Sequence, residues 1–292
     1  MERQEIIMTS IRIFVDSTCD LPKAWLEENQ IGVVPLYVNF NHEVYRDGVD
    51  MTPAELYEKV KQTGQTPKTS APSPADFIHA FQPVIDNGHT IIYISLSSAL
   101  SSTYANAHLA ANTFPEGAVT IVDSLNLSSS IGLLVMKAVQ AIDQQQSVAE
   151  IVLLLESMRS QIETEFAIDS LEFLYKGGRC SGMQNLIGSL LKIRPVIQVT
   201  THGTLVPAYK IRGKREKAVE QLLRNTLAHR HAIDQDIIFV VHSFAEAEAR
   251  HMQAVLREQT DARQVMITEA GCVISSHCGP QTIAIMYAKN NH

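Results

Sequence analysis

Short runs of β-branched and aliphatic residues alternate with amphipathic segments along the first half of the chain. The runs at residues 11–15, 90–94 and 119–122 are typical of strands that are buried on both faces of a sheet. Helical periodicity follows the first run at 23–30 and the last at 128–140, where apolar residues surround nearly the whole helix. This alternation predicts a parallel sheet with right-handed crossover connections.

Polar residues come directly after three of these predicted strands. They are Asp16 with Ser17, the serine-rich turn at residues 95–103, and Asp123 with Ser124. Ligands of parallel α/β sheets bind beyond the carboxyl ends of the strands, so these residues predict a polar pocket at one edge. The helix that follows the serine-rich turn offers free N–H groups to an anion. The alternative is that one serine caps this helix and the others are ordinary turn residues.

The second half of the chain mixes hairpins with helices. Residues 196–199 and 205–211 read as a hairpin, and buried strands are expected at 236–241 and 264–269. We therefore expect an α/β protein of two domains. Residues 1–160 would form a parallel-sheet α/β domain and residues 161–292 a mixed-sheet α+β domain, with the last segment free to pack back on the first domain.

Five local predictions concern individual segments of the chain. Residues 33–40 read as one strand with Pro35 at an edge or bulge, and residues 65–74 as a loop. Thr52 and Glu55 have the spacing of a helix-capping box. Residues 274–280 read as a turn, and a short helical piece is expected to end at 189–192.

Composition and charge exclude several classes of protein. The chain has 292 residues, 45% hydrophobic and 19% charged, with a formal net charge of −7, so nucleic acid is not an expected partner. No apolar run has the length of a membrane span, and the first residues lack a signal-peptide pattern. The four cysteines are scattered without a CxxC pair, which favours a reduced cytoplasmic protein without disulfides or bound metal.

The common catalytic motifs are missing from the sequence. It has no GxxxxGK[ST] phosphate loop, no GxGxxG, no GxSxG elbow and no HExxH. His277 stands beside Ser275 and Ser276, which leaves a Ser/His-dependent hydrolase open as an alternative. No third group that would orient such a pair can be placed from the sequence.

Eight short segments, in order, resemble the DegV family of bacterial fatty-acid-binding proteins. They are residues 14–22 (FVDSTCDLP), 34–38 (VPLYV), 45–51 (YRDGVDM), 68–73 (KTSAPS), 94–103 (ISLSSALSST), 122–124 (VDS), 174–178 (LYKGG) and 277–280 (HCGP). The resemblance covers nearly the whole chain. It implies a two-domain α/β fold that buries one long-chain fatty acid at the domain junction and needs no other cofactor. For many members it also implies service as the non-catalytic acyl-presenting subunit of a fatty acid kinase, beside an ATP-binding subunit similar to dihydroxyacetone kinase.

The resemblance also implies a binding site for the fatty-acid carboxylate. Carried over motif by motif, the expected donors are Thr69 and Ser97, with His277 near the same head group. Neighbouring candidates are Ser70, Ser98 and Gly279. No residue is expected to be catalytic or to bind a metal.

The resemblance further implies that two arginines match the positions that dock the kinase subunit in the family's kinase-coupled members. They are Arg179 in KGGR and Arg212 in YKIRGKREKA. The plain alternative is that Arg212, Lys214 and Arg215 form a solvated basic run.

Three functions therefore compete at the level of the sequence. The first is a lipid carrier that presents its ligand to a kinase. The second is lipid storage or sensing without a kinase, and the third is an independent enzyme that uses the Ser and His side chains. The missing nucleotide loop and esterase elbow favour the carrier.

Overall fold

The computed structural model describes residues 10–179 and 193–290. Thirteen strands lie in these ranges: β1 (Ile11–Asp16), β2 (Gly32–Val34), β3 (Tyr37–Phe40), β4 (Glu43–Arg46), β5 (Lys68–Ser70), β6 (Thr90–Ser95), β7 (Val119–Asp123), β8 (Ile162–Ala167), β9 (Ile193–Val199), β10 (Leu205–Arg212), β11 (Ile233–Ser243), β12 (Gln264–Glu269) and β13 (Thr282–Lys289). Cys180 and the helical piece predicted to end at 189–192 lie outside the described residues.

Ten α-helices lie in the same ranges. They are α1 (Lys23–Glu28), α2 (Pro53–Thr63), α3 (Pro74–Asp86), α4 (Thr103–Ala111), α5 (Ser129–Asp143), α6 (Val148–Met158), α7 (Glu172–Lys176), α8 (Glu216–Ala228), α9 (Glu246–Gln259) and α10 (Cys272–Cys278). None of these helices has the length and apolar character that crossing a membrane requires.

The strands form one parallel sheet, one mixed sheet and a small antiparallel sheet. The parallel sheet has the order β2-β1-β6-β7, and the mixed sheet has the order β10-β9-β8-β13-β11-β12. The small sheet, β4-β3-β5, connects to the parallel sheet through the short segment after β2. The predicted α/β fold class, with a parallel sheet and a mixed sheet, is therefore confirmed.

Helix α5 lies between the two large sheets, and the main core is formed around it. It contacts β1 and β6 on one side and β8, β11 and β13 on the other. Ile131, Leu134 and Val135 are fully buried, which agrees with the apolar circumference of this helix in the sequence. The outer face of the parallel sheet is covered by α3 and α4, and the outer face of the mixed sheet by α8 and α9.

Three local predictions are wrong. The single strand predicted at 33–40 is two strands, because Pro35 ends β2 and the chain then enters the small sheet as β3. The loop predicted at 65–74 contains β5, which pairs with β3. The turn predicted at 274–280 is mostly helix, since α10 continues to Cys278.

The division of the chain at residue 160 stays a prediction. Strand β13, in the last segment, pairs with β8 and β11 inside the mixed sheet. Helix α10, just before it, contacts α2, β3 and β5 of the first half. The end of the chain therefore connects the two halves.

Candidate functional site

Two aspartates from the first half hold the beginning of α10. Asp20 accepts a hydrogen bond from the Gly271 N–H (2.8 Å), and Asp47 accepts one from the Cys272 N–H (2.7 Å). Both carboxylates are buried, and burial is the main cause that raises their pKa. Their hydrogen bonds satisfy N–H groups that would otherwise be unpaired at the helix start.

The last turn of α10 carries His277 to the edge of the small sheet. Its Nε2 lies 2.7 Å from the Thr69 hydroxyl oxygen on β5. Nδ1 is buried and has no hydrogen-bonding partner among the described residues. Gly177 packs against it so closely that a Cβ there would lie 2.2 Å from Nδ1. Burial, and then the charge of Arg179, lower the pKa of His277 to about 4, so the imidazole is neutral at neutral pH.

Arg179 lies beside this pair, half-buried after the end of α7. Its Nε donates to the Leu100 carbonyl oxygen (3.2 Å), and its Nη1 donates to the Gly177 carbonyl oxygen (2.7 Å). Burial lowers the pKa of Arg179, but a guanidinium in a protein stays charged. A fixed positive charge therefore stands near Thr69 and His277.

These three side chains lie together in the wall of a cavity between the two large sheets. The space not filled by atoms is about 800 Å³, including its opening to solvent. Most of the wall is apolar and comes from both halves of the chain: Leu36, Leu96, Leu100, Leu127, Phe166, Leu174, Leu205, Val241, Val273, Ile274, Ala284 and Met286. The arrangement can hold a molecule with a long apolar part and an acidic group at one end.

The predicted carboxylate donors fall into two groups. Thr69, Ser70 and His277 line the cavity. Ser97 is fully buried, and its hydroxyl donates to the Gly203 carbonyl oxygen (2.9 Å) in the β9–β10 turn. Ser98 is exposed, and its N–H donates to Asp123 (3.2 Å).

Gly279, at the end of α10, and Asp16, at the end of β1, have structural contacts. A Cβ at Gly279, where φ is +76°, would lie 2.7 Å from the Phe173 ring. Asp16, at the end of β1, accepts hydrogen bonds from the Leu96 N–H (2.8 Å) and the Tyr93 hydroxyl (3.1 Å). The polar ends of β1, β6 and β7 thus share one edge of the sheet but largely satisfy one another. The binding roles assigned to Thr69, Ser70, His277, Ser97, Ser98 and Gly279 all stay predictions.

The two arginines assigned to partner binding lie in different environments. Arg212 is exposed at the end of β10, an edge strand of the mixed sheet. Arg179 instead lines the cavity, which sequence reasoning missed. Ser101, Ser128 and Ser243 are further lining residues that it missed. The turn after α7 was visible in the sequence, but no signal in it gives the direction of the arginine.

The geometry around His277 does not support a Ser/His nucleophile. The Ser275 hydroxyl donates to the Ala270 carbonyl oxygen (3.0 Å), and the Ser276 hydroxyl to that of Cys272 (2.7 Å). Among the described residues, the hydroxyl within hydrogen-bonding distance of His277 is that of Thr69. A pKa of about 4 is also too low for an efficient general base at neutral pH.

No metal site accompanies this cavity in the part of the chain that the structure covers. Within residues 10–179 and 193–290, no three His, Cys, Asp or Glu side chains are grouped so that they could hold a metal ion. Cys19, Cys272 and Cys278 are free thiols and buried.

Comparison with known proteins assigns the chain to a family. Residues 10–290 match a family model described as an uncharacterised protein of the DegV family. The chain belongs to the DegV family. A DegV domain-containing protein from Clostridium perfringens is 32% identical over 286 residues, which cover 96% of this chain and 98% of that protein.

Solved DegV structures agree with the fold. A fatty-acid-binding DegV family protein from Thermus thermophilus has a TM-score of 0.90 and 32% identity, and the match covers 97% of this chain and 100% of that one. The fatty-acid-binding DegV protein from Bacillus subtilis has a TM-score of 0.83 and 27% identity over the same shares of the two chains.

Proposed function

We propose that this DegV protein binds one long-chain fatty acid in the cavity between its sheets. The acyl chain would occupy the apolar part, and the carboxylate would lie at the Thr69, Ser70 and His277 end. The observation that carries this proposal is the combination of a largely apolar cavity with a hydroxyl, an imidazole and a guanidinium grouped in its wall. The fatty-acid-binding relatives from Thermus thermophilus and Bacillus subtilis support the same ligand class.

The acyl chain would supply most of the binding free energy. Burial of one CH₂ group is worth about 0.8 kcal/mol, so a chain of palmitate length contributes roughly 12 kcal/mol before other costs. Loss of translational and conformational freedom removes a large part of this gain.

The polar groups of the cavity must replace the hydrogen bonds to water that the carboxylate loses on burial. An ionised carboxylate is costly to bury unless it is paired and hydrogen-bonded. The Thr69 hydroxyl can donate to it, and Arg179 supplies a positive charge without being committed to a bidentate carboxylate clamp, because its Nε and Nη1 donate to backbone carbonyls. We infer that such a loose arrangement leaves a carboxylate oxygen free for phosphoryl transfer.

We further propose that the protein presents this carboxylate to a separate ATP-binding kinase subunit, similar to dihydroxyacetone kinase, and performs no catalysis itself. The sequence has no phosphate-binding loop of its own. Exposed Arg212 suits contact with an acidic surface of that subunit, and Arg179 would contribute at the mouth of the cavity. The setting would be the cytoplasm, where the ATP-binding subunit finds its nucleotide.

Lipid extraction tests the ligand. The freshly purified protein is denatured and extracted, and the released lipids are identified by mass spectrometry. We expect one long-chain fatty acid per protein molecule. Absence of fatty acid, both in this extract and after incubation of delipidated protein with palmitate or oleate, would contradict the proposal.

The Thr69→Val variant tests the head-group position. It removes the hydroxyl and keeps the branched shape, so we expect about 10- to 100-fold weaker fatty-acid binding, the loss typical of one hydrogen bond to a charged group. Thr120→Val on β7, outside the cavity wall, is the matched control. Equal affinities of the two variants would rule out Thr69 as a carboxylate donor.

Addition of a cognate kinase with ATP separates presentation from storage or sensing. Trapping with hydroxylamine detects an acyl phosphate if the carrier proposal is correct. The Arg212→Glu variant should form less of it while its bound lipid is retained. A loaded protein that gives no acyl phosphate with any cognate kinase would instead favour storage or sensing.

A further inference from the structure

A second cavity lies on the same face of the mixed sheet as the first. It has about 780 Å³ of unfilled space, part of it open to solvent. Its apolar wall consists of Leu133, Met136, Met158, Ile237 and Ala288. It opens between α5 and the sheet, at the opposite end of α5 from the first cavity.

Strand β13 runs past both cavities. Ala284, Met286 and Ala288 point to the same face because they are two residues apart, and all three pack in the main core. Ala284 lines the first cavity, and Ala288 lines the second. Met286 stands between them and also lines the first cavity, level with Thr164 on β8 and Phe239 on β11.

Helix α5, which covers this face of the sheet, also passes both cavities. Leu127 and Ser128, just before α5, line the first cavity, and Leu133 and Met136 within α5 line the second. Both cavities therefore lie along α5 and β13, and Met286 stands between Ala284 and Ala288 on that strand.

The outer rim of the second cavity is charged. Lys137 forms an ion pair with Asp236, and Arg263 pairs with the same carboxylate at 3.2 Å. The apolar wall lies inside this rim, so an alkyl chain that entered from the first cavity would meet apolar side chains before it reached the charges.

We infer that Met286 sets the maximum length of the acyl chain by closing the first cavity off from the second. This inference rests on the proposed fatty-acid function and adds a specificity-determining residue to it. Met286 is 2% exposed, and an unbranched thioether side chain fills irregular gaps and moves more easily than a branched one.

The gain in length on opening this barrier follows from strand geometry. Ala284 and Met286 are separated by six backbone bonds, as are Met286 and Ala288, and each step covers about 7 Å along the strand. An extended alkyl chain covers about the same distance per single bond. An alkyl chain that passes Met286 and reaches the level of Ala288 therefore gains room for about six more methylene groups.

The test is competition between palmitic acid and behenic acid, which differ by about six methylene groups, for the delipidated protein. Mass spectrometry of the bound lipid gives the ratio. For Met286→Ala we expect the proportion of behenic acid to palmitic acid to rise at least about tenfold over the wild-type protein. Met252→Ala is the matched control, since Met252 is fully buried under the opposite face of the sheet.

A second substitution blocks the passage from the first cavity into the second. Ala288→Phe fills the second cavity, so the Met286→Ala/Ala288→Phe double variant should return to the wild-type ratio. An unchanged ratio in Met286→Ala, or in Met286→Val if the alanine variant does not fold, overturns the inference. Wild-type protein that binds neither acid would instead contradict the proposed function.

Discussion

At the scale of single residues, the neutral state of His277 is the feature with the clearest physical consequence. Its imidazole is largely buried, and Arg179 stands nearby, so the folded protein binds a proton there less readily than the unfolded chain does. A carboxylate placed at this end of the cavity would act in the opposite direction. The charge state of His277 therefore reports whether the polar end of the cavity is occupied.

The pH dependence of stability tests this state. The pKa of His277 is lowered from 6.5 to about 4 in the folded protein. The free energy of unfolding is therefore highest above pH 6.5, and it decreases as the pH falls towards 4, because the unfolded chain takes up the proton first. Relative to His277→Gln, the lipid-free wild-type protein should lose at most about 3 kcal/mol of unfolding free energy across this window. Urea denaturation at several pH values measures it, with His202→Gln, at an exposed turn, as the control. Parallel curves for wild type and His277→Gln would contradict the assignment.

Some residues of the site could be predicted from the sequence, and the placement of others could not. Thr69 and His277, which are more than 200 positions apart, were predicted together only through the resemblance to the DegV family, and they lie 2.7 Å apart. Arg179 was assigned to a partner surface but lines the cavity. The direction of its side chain depends on the Leu100 and Gly177 carbonyl oxygens, and the sequence alone does not bring these together.

At the scale of elements, α10 depends on contacts from distant parts of the chain. It has seven residues, too few for a stable isolated helix. Asp20 and Asp47 supply hydrogen bonds at its start, and Thr69 meets it at its end. The sequence of residues 274–280 reads as a turn because these partners lie more than 200 positions earlier. By contrast, the capping box of α2 is local, and the predicted pair of Thr52 and Glu55 is confirmed.

Removal of one of these aspartates should weaken both the fold and the site. Asp47→Ala leaves the Cys272 N–H and the Ser17 hydroxyl without their buried acceptor, so we expect about 1–3 kcal/mol less stability. Fatty-acid retention should fall as well, because His277 is positioned by the same helix. Asp143→Ala, at an exposed end of α5, is the control for chemical denaturation and lipid retention. A stable variant with normal lipid retention would show that α10 is held by other contacts.

At the scale of the whole molecule, α5 divides the interior between two sheets and leaves room for a ligand near its first residues. The alternation of strands and helices predicted the parallel sheet, because that pattern is local in the chain. The position of the cavity could not be predicted in this way. Its wall combines residues from Leu36 to Met286, and their packing is decided in three dimensions.

The most direct test of the central claim is a crystal structure of the protein loaded with a fatty acid that carries bromine at its terminal carbon. The account predicts a carboxylate within hydrogen-bonding distance of the Thr69 hydroxyl and an anomalous bromine peak beside Met286. A bromine peak outside the cavity, or a carboxylate away from Thr69 and His277, would contradict it.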